Sequence, residues 1–361
     1  MKILIPQTLP YDPGVDASAK KIILGGIEKF CGDIENNVDG VIPVIITKSQ
    51  RKARLTKKII QKAVLDHEPD MILFNNPWMG NMMMSFGIPL ICIMHEPLVR
   101  DVRMIDLGNI LKKLNEYGAH LYFVSPIQLE FHRVMAKRIQ NVDFGPIKGF
   151  INSSYVSTEN DVSTEFTYDC ATIGRNDNEK NPFLIHKKLQ KSGLNTLVLT
   201  NHAKYVNDAQ NKYVEKNSTW SAPQHTIYGL PHDQVMNTLT KSKVYCSTWP
   251  KESWGITTME ALGLGIPTIL MCKDNVHASE NIAADSSHIV KLDIKCSDSE
   301  FEIAVRKAME TSYEKRVEIL EMTKEKHSRE NWKKNILNII DRRYHDRNNK
   351  NMPATLNEFF S

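Results

Sequence analysis

The segment KESWGITTMEALGLGIPTIL, Lys251–Leu270, predicts a loop, a helix and the start of a strand in direct succession. Gly255 stands where the loop turns into the helix, and the run 265–267 ends that helix before an apolar strand. A helix that begins in this way offers free backbone N–H groups to phosphate or sugar oxygens. Glu252, before the turn, and Glu260, on the helix, can accept hydrogen bonds from hydroxyl groups. The segment therefore suits a nucleotide-sugar ligand.

On both sides of this segment, short apolar runs alternate with stretches of helical spacing. Met1–Pro6 and Val41–Ile46 predict strands, and Ser49–Val64 predicts a helix. A second series of strands and helices begins near Thr167. Strands that alternate with helices of this length predict an α/β protein with two Rossmann-like, doubly wound domains. We expect the active site in the cleft between the two domains.

The predicted domain boundaries follow from these two series. A chain of 361 residues is longer than a single core usually serves, which is about 250–300 residues. Residues 1–160 are predicted to form the N-terminal Rossmann-like domain and residues 161–335 the C-terminal one. Residues 336–361 are predicted to form a C-terminal helix and tail that packs back toward the N-terminal domain.

Composition places few limits on function. The net charge of +4 permits a polyanionic partner without demanding one. The six cysteines form no C-x-x-C pair, and four of them fall in or beside predicted strands, which favours reduced thiols and a cytoplasmic protein. We see no apolar run long enough for a signal peptide or a membrane span, and no metal-ligand spacing among the histidines.

The pattern E-x-W-G-x-x-x-x-E-A-x-x-x-G-x-P in Lys251–Leu270 resembles the donor-site signature of the retaining glycosyltransferases of family 4, which have the GT-B fold. A second segment, TIGRNDNEKNPF at Thr172–Phe183, resembles the part of that family in which an arginine and a lysine clamp the donor diphosphate. Arg175 and Lys180 match those two residues, whereas Asn181 replaces the usual glycine. Charge neutralisation is what the reaction needs, because negative charge builds on the leaving phosphate.

The resemblance also implies roles for residues elsewhere in the chain. His95, directly after an apolar strand, is similar to the family's active-site histidine, and the resemblance implies that His95 and Glu252 contact the transferred sugar as catalytic residues. Glu260 is implied to bind the ribose. Gly14 matches the glycine of the family's loop near the donor phosphates, and Asp16 in the same loop can reach the acceptor. Glu96 either serves the acceptor or orients a loop. The remaining predicted donor contacts are Gly229 and Leu230 at the nucleobase and Gly255, Ile256 and Thr257 at the helix start.

The resemblance implies transfer with retention at the anomeric carbon. The nucleotide sugar is the co-substrate, with UDP as the expected nucleotide, and neither a metal nor another cofactor is expected. In such a reaction the donor phosphate takes the acceptor's proton, while the protein positions the reactants and stabilises charge.

A basic segment, KSQRKARLTKKIIQK at Lys48–Lys62, bears on the identity of the acceptor. A basic helix of this kind can follow nucleic-acid phosphates, lie on an anionic membrane, or be an ordinary solvated face. The run Met94–Lys137 loosely resembles the phage DNA α-glucosyltransferases, and the wealth of Lys, Asn, Ile and Met is similar to proteins of T-even-like phages. These features favour 5-hydroxymethylcytosine in double-stranded DNA as the acceptor, in the cytoplasm of a phage host. The predicted acceptor contacts in the basic segment are Arg51, Lys52, Arg54, Lys57 and Lys58.

Other functions stay open at this point. A bacterial transferase that builds surface polysaccharide, lipopolysaccharide or glycolipid fits the same donor segments, and peripheral membrane contact would suit it. A nucleotide-sugar epimerase would need an acid/base pair, which we do not find in the sequence. A catalytically silent nucleic-acid-binding protein should lack the donor residues, yet Arg175, Lys180, Glu252 and Glu260 are all present.

Overall fold

A computed structural model describes residues 1–8, 26–95, 101–130, 133–134, 145–156, 161–174, 180–200, 225–249, 254–273, 277–283 and 285–348. The described residues form two compact units. The first unit contains those up to Ser154 together with Glu330–Asn348, and the second contains those in Tyr155–Arg329.

The first unit is built on a sheet of six parallel strands in the order β2-β1-β3-β4-β5-β6. The order reverses between β1 and β3, so the carboxyl ends of these two strands mark a topological switch point. The strands are β1 Ile3–Thr8, β2 Val41–Ile46, β3 Met71–Phe74, β4 Leu90–Met94, β5 His120–Phe123 and β6 Gly149–Phe150. The helices between them are α1 Gly26–Asn37, α2 Ala53–His67, α3 Gly80–Met84 and α4 Asp101–Glu116.

The helix predicted over Ser49–Val64 begins later than the pattern indicated. A short 3-10 turn at Lys48–Gln50 precedes α2, and the Gln50 side chain accepts a hydrogen bond from the backbone N–H of Thr47 at 3.0 Å. This side-chain contact stabilises a separate turn in front of the helix. The helical spacing in the sequence therefore begins before α2 itself. The inner face of α2 buries Ile60 and Val64 in the core of the first unit.

The second unit has a sheet of the same size in the order β12-β11-β10-β7-β8-β9, again with parallel pairs. Counted from the first strand of the unit, this is the 3-2-1-4-5-6 order of a Rossmann fold, with its switch point between β7 and β10. The strands are β7 Tyr168–Ile173, β8 Thr196–Thr200, β9 His225–Tyr228, β10 Ser242–Ser247, β11 Thr268–Cys272 and β12 Ile289–Asp293. The helices are α5 Leu184–Leu189, α6 His232–Leu239, α7 Ile256–Leu262, α8 Asp298–Met309 and α9 Tyr313–Lys326.

The last described helix, α10 Arg329–Asn348, packs on the sheet of the first unit. The indole of Trp332, which is buried, donates to the backbone carbonyl of Asn152 at 3.0 Å. Further along, Arg343 donates from Nε to the carbonyl of Leu90 at 3.3 Å. These two contacts hold α10 in place, because the buried donors of Trp332 and Arg343 would lose their hydrogen-bond partners if the helix moved.

The cores confirm the burial expected for the strand cysteines. Cys92, Cys170, Cys246 and Cys272 are all buried and form no disulfide, and Cys31 in α1 is buried as well. Strands β3, β4 and β5 are buried at every position, as expected for parallel strands covered on both faces, and this accounts for their nearly continuous apolar sequences.

Candidate functional site

The switch point of the second unit carries the predicted diphosphate-binding lysine. The backbone carbonyl of Lys180 accepts a hydrogen bond from the hydroxyl of Thr248, which directly follows β10. Lys180 also packs over Gly174, at the end of β7, since a Cβ added to Gly174 would lie 3.3 Å from the Cβ of Lys180. The lysine is therefore held between the two strands whose order reverses, where ligands of doubly wound sheets bind.

Asn181 follows at the position where the resembled family has glycine. Its φ of 35° lies in the left-handed region, which glycine adopts freely and asparagine tolerates better than most residues. The departure from the family pattern therefore keeps the backbone conformation that a glycine would supply.

The predicted turn at Gly255 begins α7. Gly255 has a φ of 89°, and a Cβ at this position would lie 2.0 Å from the hydroxyl oxygen of Ser279. Trp254, just before it, is buried with its ring 5.6 Å from that of His327 in a T-shaped contact. The hydroxyl of Thr257 lies 2.7 Å from that of Tyr245, so this side chain is tied to β10. Ile256, the first residue of α7, is half-buried.

A buried histidine that sequence reasoning missed braces this turn. His277 Nδ1 accepts from the backbone N–H of Ser279 at 3.0 Å, which leaves Nε2 to donate to the hydroxyl of Ser247 at 3.2 Å. Burial, together with the charge of Lys180, lowers the pKa of His277 to about 3, so the ring is neutral at physiological pH. The residue that packs against Gly255 is thus fixed to the end of β10. The spacing of His277 and Glu280 is a sequence signal for the helix cap, since their backbone and side-chain contacts form a capping box. The link from His277 to Ser247 has no such local signal.

Glu260, the predicted ribose ligand, is paired with a residue from a different helix. Its Oε1 lies 2.7 Å from Nε2 of His232, the first residue of α6. Gly229 and Leu230, predicted to contact the nucleobase, come shortly before His232 and directly after β9, and Gly229 has a φ of 63°. The second unit therefore places the predicted ribose and nucleobase residues on connections that follow one another in the chain. The sequence predicted no role in the site for His232.

His95 lies in the first unit, directly after β4. It is 5% exposed, and its ring centroid is 4.6 Å from that of Phe30 in α1. Burial lowers the pKa of His95 to about 3, so the ring is neutral near pH 7. Among the residues the structure describes, none forms a hydrogen bond with its Nε2. A buried polar atom of this kind is available to a ligand hydroxyl.

The predicted acceptor cations lie on the exposed side of α2 and in the residues just before it. Thr56, Ile60 and Val64 face inward, and all five cations are exposed. A sixth, Lys62, pairs with Asp66 at 2.6 Å. The helix and the residues just before it therefore present a positively charged surface to solvent. Its members predicted from the sequence are Arg51, Lys52, Arg54, Lys57 and Lys58.

Five predicted site residues fall outside the described ranges, and their roles stay predictions. They are Gly14, Asp16, Glu96, Arg175 and Glu252.

A separate groove of about 790 Å³ lies in the second unit beside the edge strand β12. Its walls come from β12, α8 and α9, with Leu292, Ile303 and Ile319 among the apolar residues. Of the donor residues that the structure describes, none lines this groove. It is therefore distinct from the switch point.

The described ranges contain neither a metal-binding cluster nor a helix suited to span a membrane. There, His, Cys, Asp and Glu side chains form no group of three or more that could hold a metal ion. No described helix is both long enough and apolar enough to cross a membrane.

Comparison with known proteins places this geometry in a structural class. No protein-family model and no curated protein matches the sequence. Among solved structures, HepE of Anabaena in complex with UDP and glucose is similar with a TM-score of 0.69 and 12% identity, over 94% of this chain and 99% of that one. AviGT4, a glycosyltransferase involved in avilamycin A biosynthesis, has a TM-score of 0.59 and 11% identity, over 96% and 97%. TarM has a TM-score of 0.58 and 15% identity, over 79% of this chain and 57% of TarM. The chain has the GT-B fold, with two Rossmann-like domains.

Proposed function

We propose that this protein is a glycosyltransferase that moves a sugar from a nucleotide sugar, with UDP as the nucleotide, to an acceptor hydroxyl. The observation that carries the proposal is the switch point between β7 and β10, which holds Lys180 beside the strand that leads to the Gly255 turn. HepE, which shares the fold, binds UDP in its solved complexes. A nucleoside diphosphate suits the site because a lysine and a helix start both favour phosphate oxygens.

The roles of the donor residues follow from their chemistry. Lys180, with Arg175, neutralises the charge that builds on the leaving diphosphate. The carboxylate of Glu260 accepts hydrogen bonds from the ribose hydroxyls, and the backbone at Gly229 and Leu230 contacts the nucleobase. Glu252 contacts the sugar.

His95 is proposed to position the sugar rather than to take its proton. A base with a pKa of about 3 is too weak to accept a proton from a hydroxyl efficiently near neutral pH. The acceptor's proton then passes to the donor phosphate on the face where the bond to the leaving group loosens. This route yields retention at the anomeric carbon, with positioning and charge stabilisation as the protein's contribution.

For the acceptor we propose the hydroxyl of 5-hydroxymethylcytosine in double-stranded DNA. The exposed cations of α2 support this choice, since each can neutralise a backbone phosphate. A modified base inside a duplex must leave the stack to meet a sugar donor, so the base is expected to flip out.

A second acceptor class, a bacterial surface glycan or glycolipid, is favoured by one observation. Leu55 and Leu65 are 40% and 59% exposed on the same helix as the cations. Leucines beside basic residues suit the interface of an anionic membrane better than a DNA backbone.

The test is nucleotide release from a panel of UDP-sugars, measured with 5-hydroxymethylcytosine DNA, unmodified DNA or no DNA. Release that requires the modified base supports both the reaction and the acceptor. Slow release that ignores DNA supports a transferase with a glycan or glycolipid acceptor. Interconversion of the UDP-sugar without nucleotide release indicates an epimerase, and DNA binding without turnover of any donor indicates a silent binding protein.

A further inference from the structure

One carboxylate oxygen of Glu260 already has a hydrogen-bond partner within the protein. Nε2 of His232 lies 2.7 Å from Oε1, which is a short contact for an N–H donor and a carboxylate. The donor nitrogen carries hydrogen in the protonated ring and in one neutral tautomer, so the bond exists in both states. Oε2 remains to accept from another donor.

The two residues belong to different connections at the carboxyl edge of the same sheet. His232 begins α6, just after the Gly229 turn that follows β9, and Glu260 lies within α7, which follows β10. The hydrogen bond therefore links the predicted nucleobase loop to the predicted ribose ligand. The residues are 28 positions apart in the chain, so the link depends on the fold.

Burial differs between the partners and indicates what the bond does. The side chain of Glu260 is 11% exposed, whereas that of His232 is 55% exposed. An ion pair with one partner this exposed contributes little to stability, because water screens it and ordering the side chain costs entropy. A glutamate held in one rotamer has already lost that entropy before a ligand binds.

We propose that His232 is a positioning residue that orients Glu260 for the ribose of the donor nucleotide. The inference rests on the proposed function, in which Glu260 accepts hydrogen bonds from the ribose hydroxyls. His232 holds Oε1 and leaves Oε2 to accept a hydrogen bond from the ribose. The nucleobase loop and the ribose ligand then form one preassembled unit.

The experiment compares the binding of UDP and 2′-deoxy-UDP to the full chain by calorimetry. His232→Phe removes the donor and keeps a ring, and His232→Gln keeps a neutral donor. Gln234→Ala, an exposed position on the same helix, is the matched control. Loss of one hydrogen bond of about 1 kcal/mol corresponds to roughly fivefold weaker binding of UDP to His232→Phe.

The expected pattern is specific to the ribose. Binding of UDP weakens in His232→Phe and largely recovers in His232→Gln, while 2′-deoxy-UDP is affected less because it lacks one of the hydroxyls. Adding His232→Phe to Glu260→Gln causes no further loss, since both changes act through the same carboxylate. The melting temperatures of all variants stay close to that of the wild type.

Three results would overturn this inference and leave the proposed function standing. Equal weakening of both ligands would assign His232 a contact elsewhere on the nucleotide, and unchanged binding would make the pair a surface contact only. Tighter UDP binding in His232→Phe would show that His232 competes with the ribose. A wild-type chain that binds no nucleoside diphosphate would instead overturn the proposed function, and this inference with it.

Discussion

Ser279 occupies the space that any side chain at Gly255 would need. A Cβ at residue 255 would lie 2.0 Å from the Ser279 hydroxyl oxygen and 2.9 Å from its Cβ. Two hydrogen bonds, from the backbone N–H of Ser279 to His277 and from His277 to Ser247, keep Ser279 in place. The turn that begins α7 is therefore shaped by a contact as well as by its own φ of 89°.

Gly255→Ala is expected to lose most UDP binding and to lower the melting temperature. Two costs add, because alanine is strained at this φ by about 1–2 kcal/mol and its methyl group also collides with Ser279. Calorimetry with UDP and a thermal melt measure both effects.

The matched control for this change is Gly32→Ala in α1. A Cβ there meets nothing within 4 Å, and helical alanine is favoured over glycine by roughly 0.5–1 kcal/mol. Adding Ser279→Gly to Gly255→Ala should recover part of the loss by removing the collision. If the double variant is no better than Gly255→Ala, the contact does not shape the turn.

Much of this turn could be predicted from the sequence, because its signals are local. The glycine, the helical spacing and the run 265–267 lie within a few residues of one another, and each limits the backbone by its own chemistry. Strand β2 was equally accessible, since the apolar run Val41–Ile46 has the same bounds, whereas β1, predicted over Met1–Pro6, lies at Ile3–Thr8. Both are effects of residue type on the nearby chain.

The brace and the ribose pair could not be predicted in this way. Ser247 and His277 are 30 positions apart, and His232 and Glu260 are 28 apart. Such contacts depend on which strands become neighbours, and apolar periodicity does not specify strand order. The sequence therefore predicted no role for His232.

Asn181→Gly is expected to keep activity, whereas Asn181→Val is expected to reduce it. The φ of 35° suits glycine and penalises a β-branched side chain, and Asn181 follows directly after Lys180. Glycine relieves backbone strain at this φ, but it also raises the entropy of the unfolded state, an effect of about 0.4–1 kcal/mol. The two effects oppose each other, so the melting temperature should change little. The rate of UDP release is the measurement.

Asn237→Val serves as the control because this residue is exposed within α6. Valine there costs only helix propensity, at most about 0.7 kcal/mol. Wild-type release by Asn181→Val would show that the left-handed conformation at residue 181 is not needed to place Lys180.

The burial of His277 predicts a loss of stability in acid. An unfolded histidine takes up a proton near a pKa of 6.5, but the folded pKa of His277 is lowered to about 3 by burial and by Lys180. Between these values the unfolded state binds more protons, so the free energy of unfolding falls as the pH falls from 6.5 toward 3. Urea titrations at several pH values measure it.

His277→Gln should lower stability near neutral pH and reduce the further loss on acidification. The glutamine removes the titrating ring along with its two hydrogen bonds. His67→Gln is the control, because His67 is exposed at the end of α2. A pH dependence that is unchanged in His277→Gln would assign the acid sensitivity to other buried histidines, such as His95 and His327.

His95→Gln is expected to lower kcat by roughly 10- to 100-fold without changing the shape of the pH–rate profile above about pH 5. Burial keeps the pKa of His95 near 3, so the ring is neutral over that whole range and contributes no inflection to the profile. The profile of sugar transfer, measured for both proteins, tests this. An inflection near neutral pH that is present in the wild type and absent from His95→Gln would identify His95 as a titrating acid or base.

The basic face of α2 is expected to set the salt dependence of DNA binding. Each cation that neutralises a phosphate contributes about 0.9 to the slope of log affinity against log salt concentration. Replacing Arg54, Lys57 and Lys58 by alanine should therefore reduce the slope by up to about 2.7 and weaken binding to modified and unmodified duplexes alike. Fluorescence anisotropy across a salt series measures both quantities.

The control for this triple change takes three exposed lysines of the second unit, Lys241, Lys295 and Lys307, to alanine. This variant loses the same charge, so an equal fall in slope would mean that overall charge, rather than the face of α2, drives binding.

Vesicles of anionic and neutral lipid separate the two acceptor classes. Because Leu55 and Leu65 are exposed beside the cations, Leu55→Ser with Leu65→Ser should impair vesicle binding and spare DNA binding if the acceptor is a glycolipid. If α2 instead serves DNA, the leucine variant should match the wild type in both assays, because phosphate contacts depend on the cations alone.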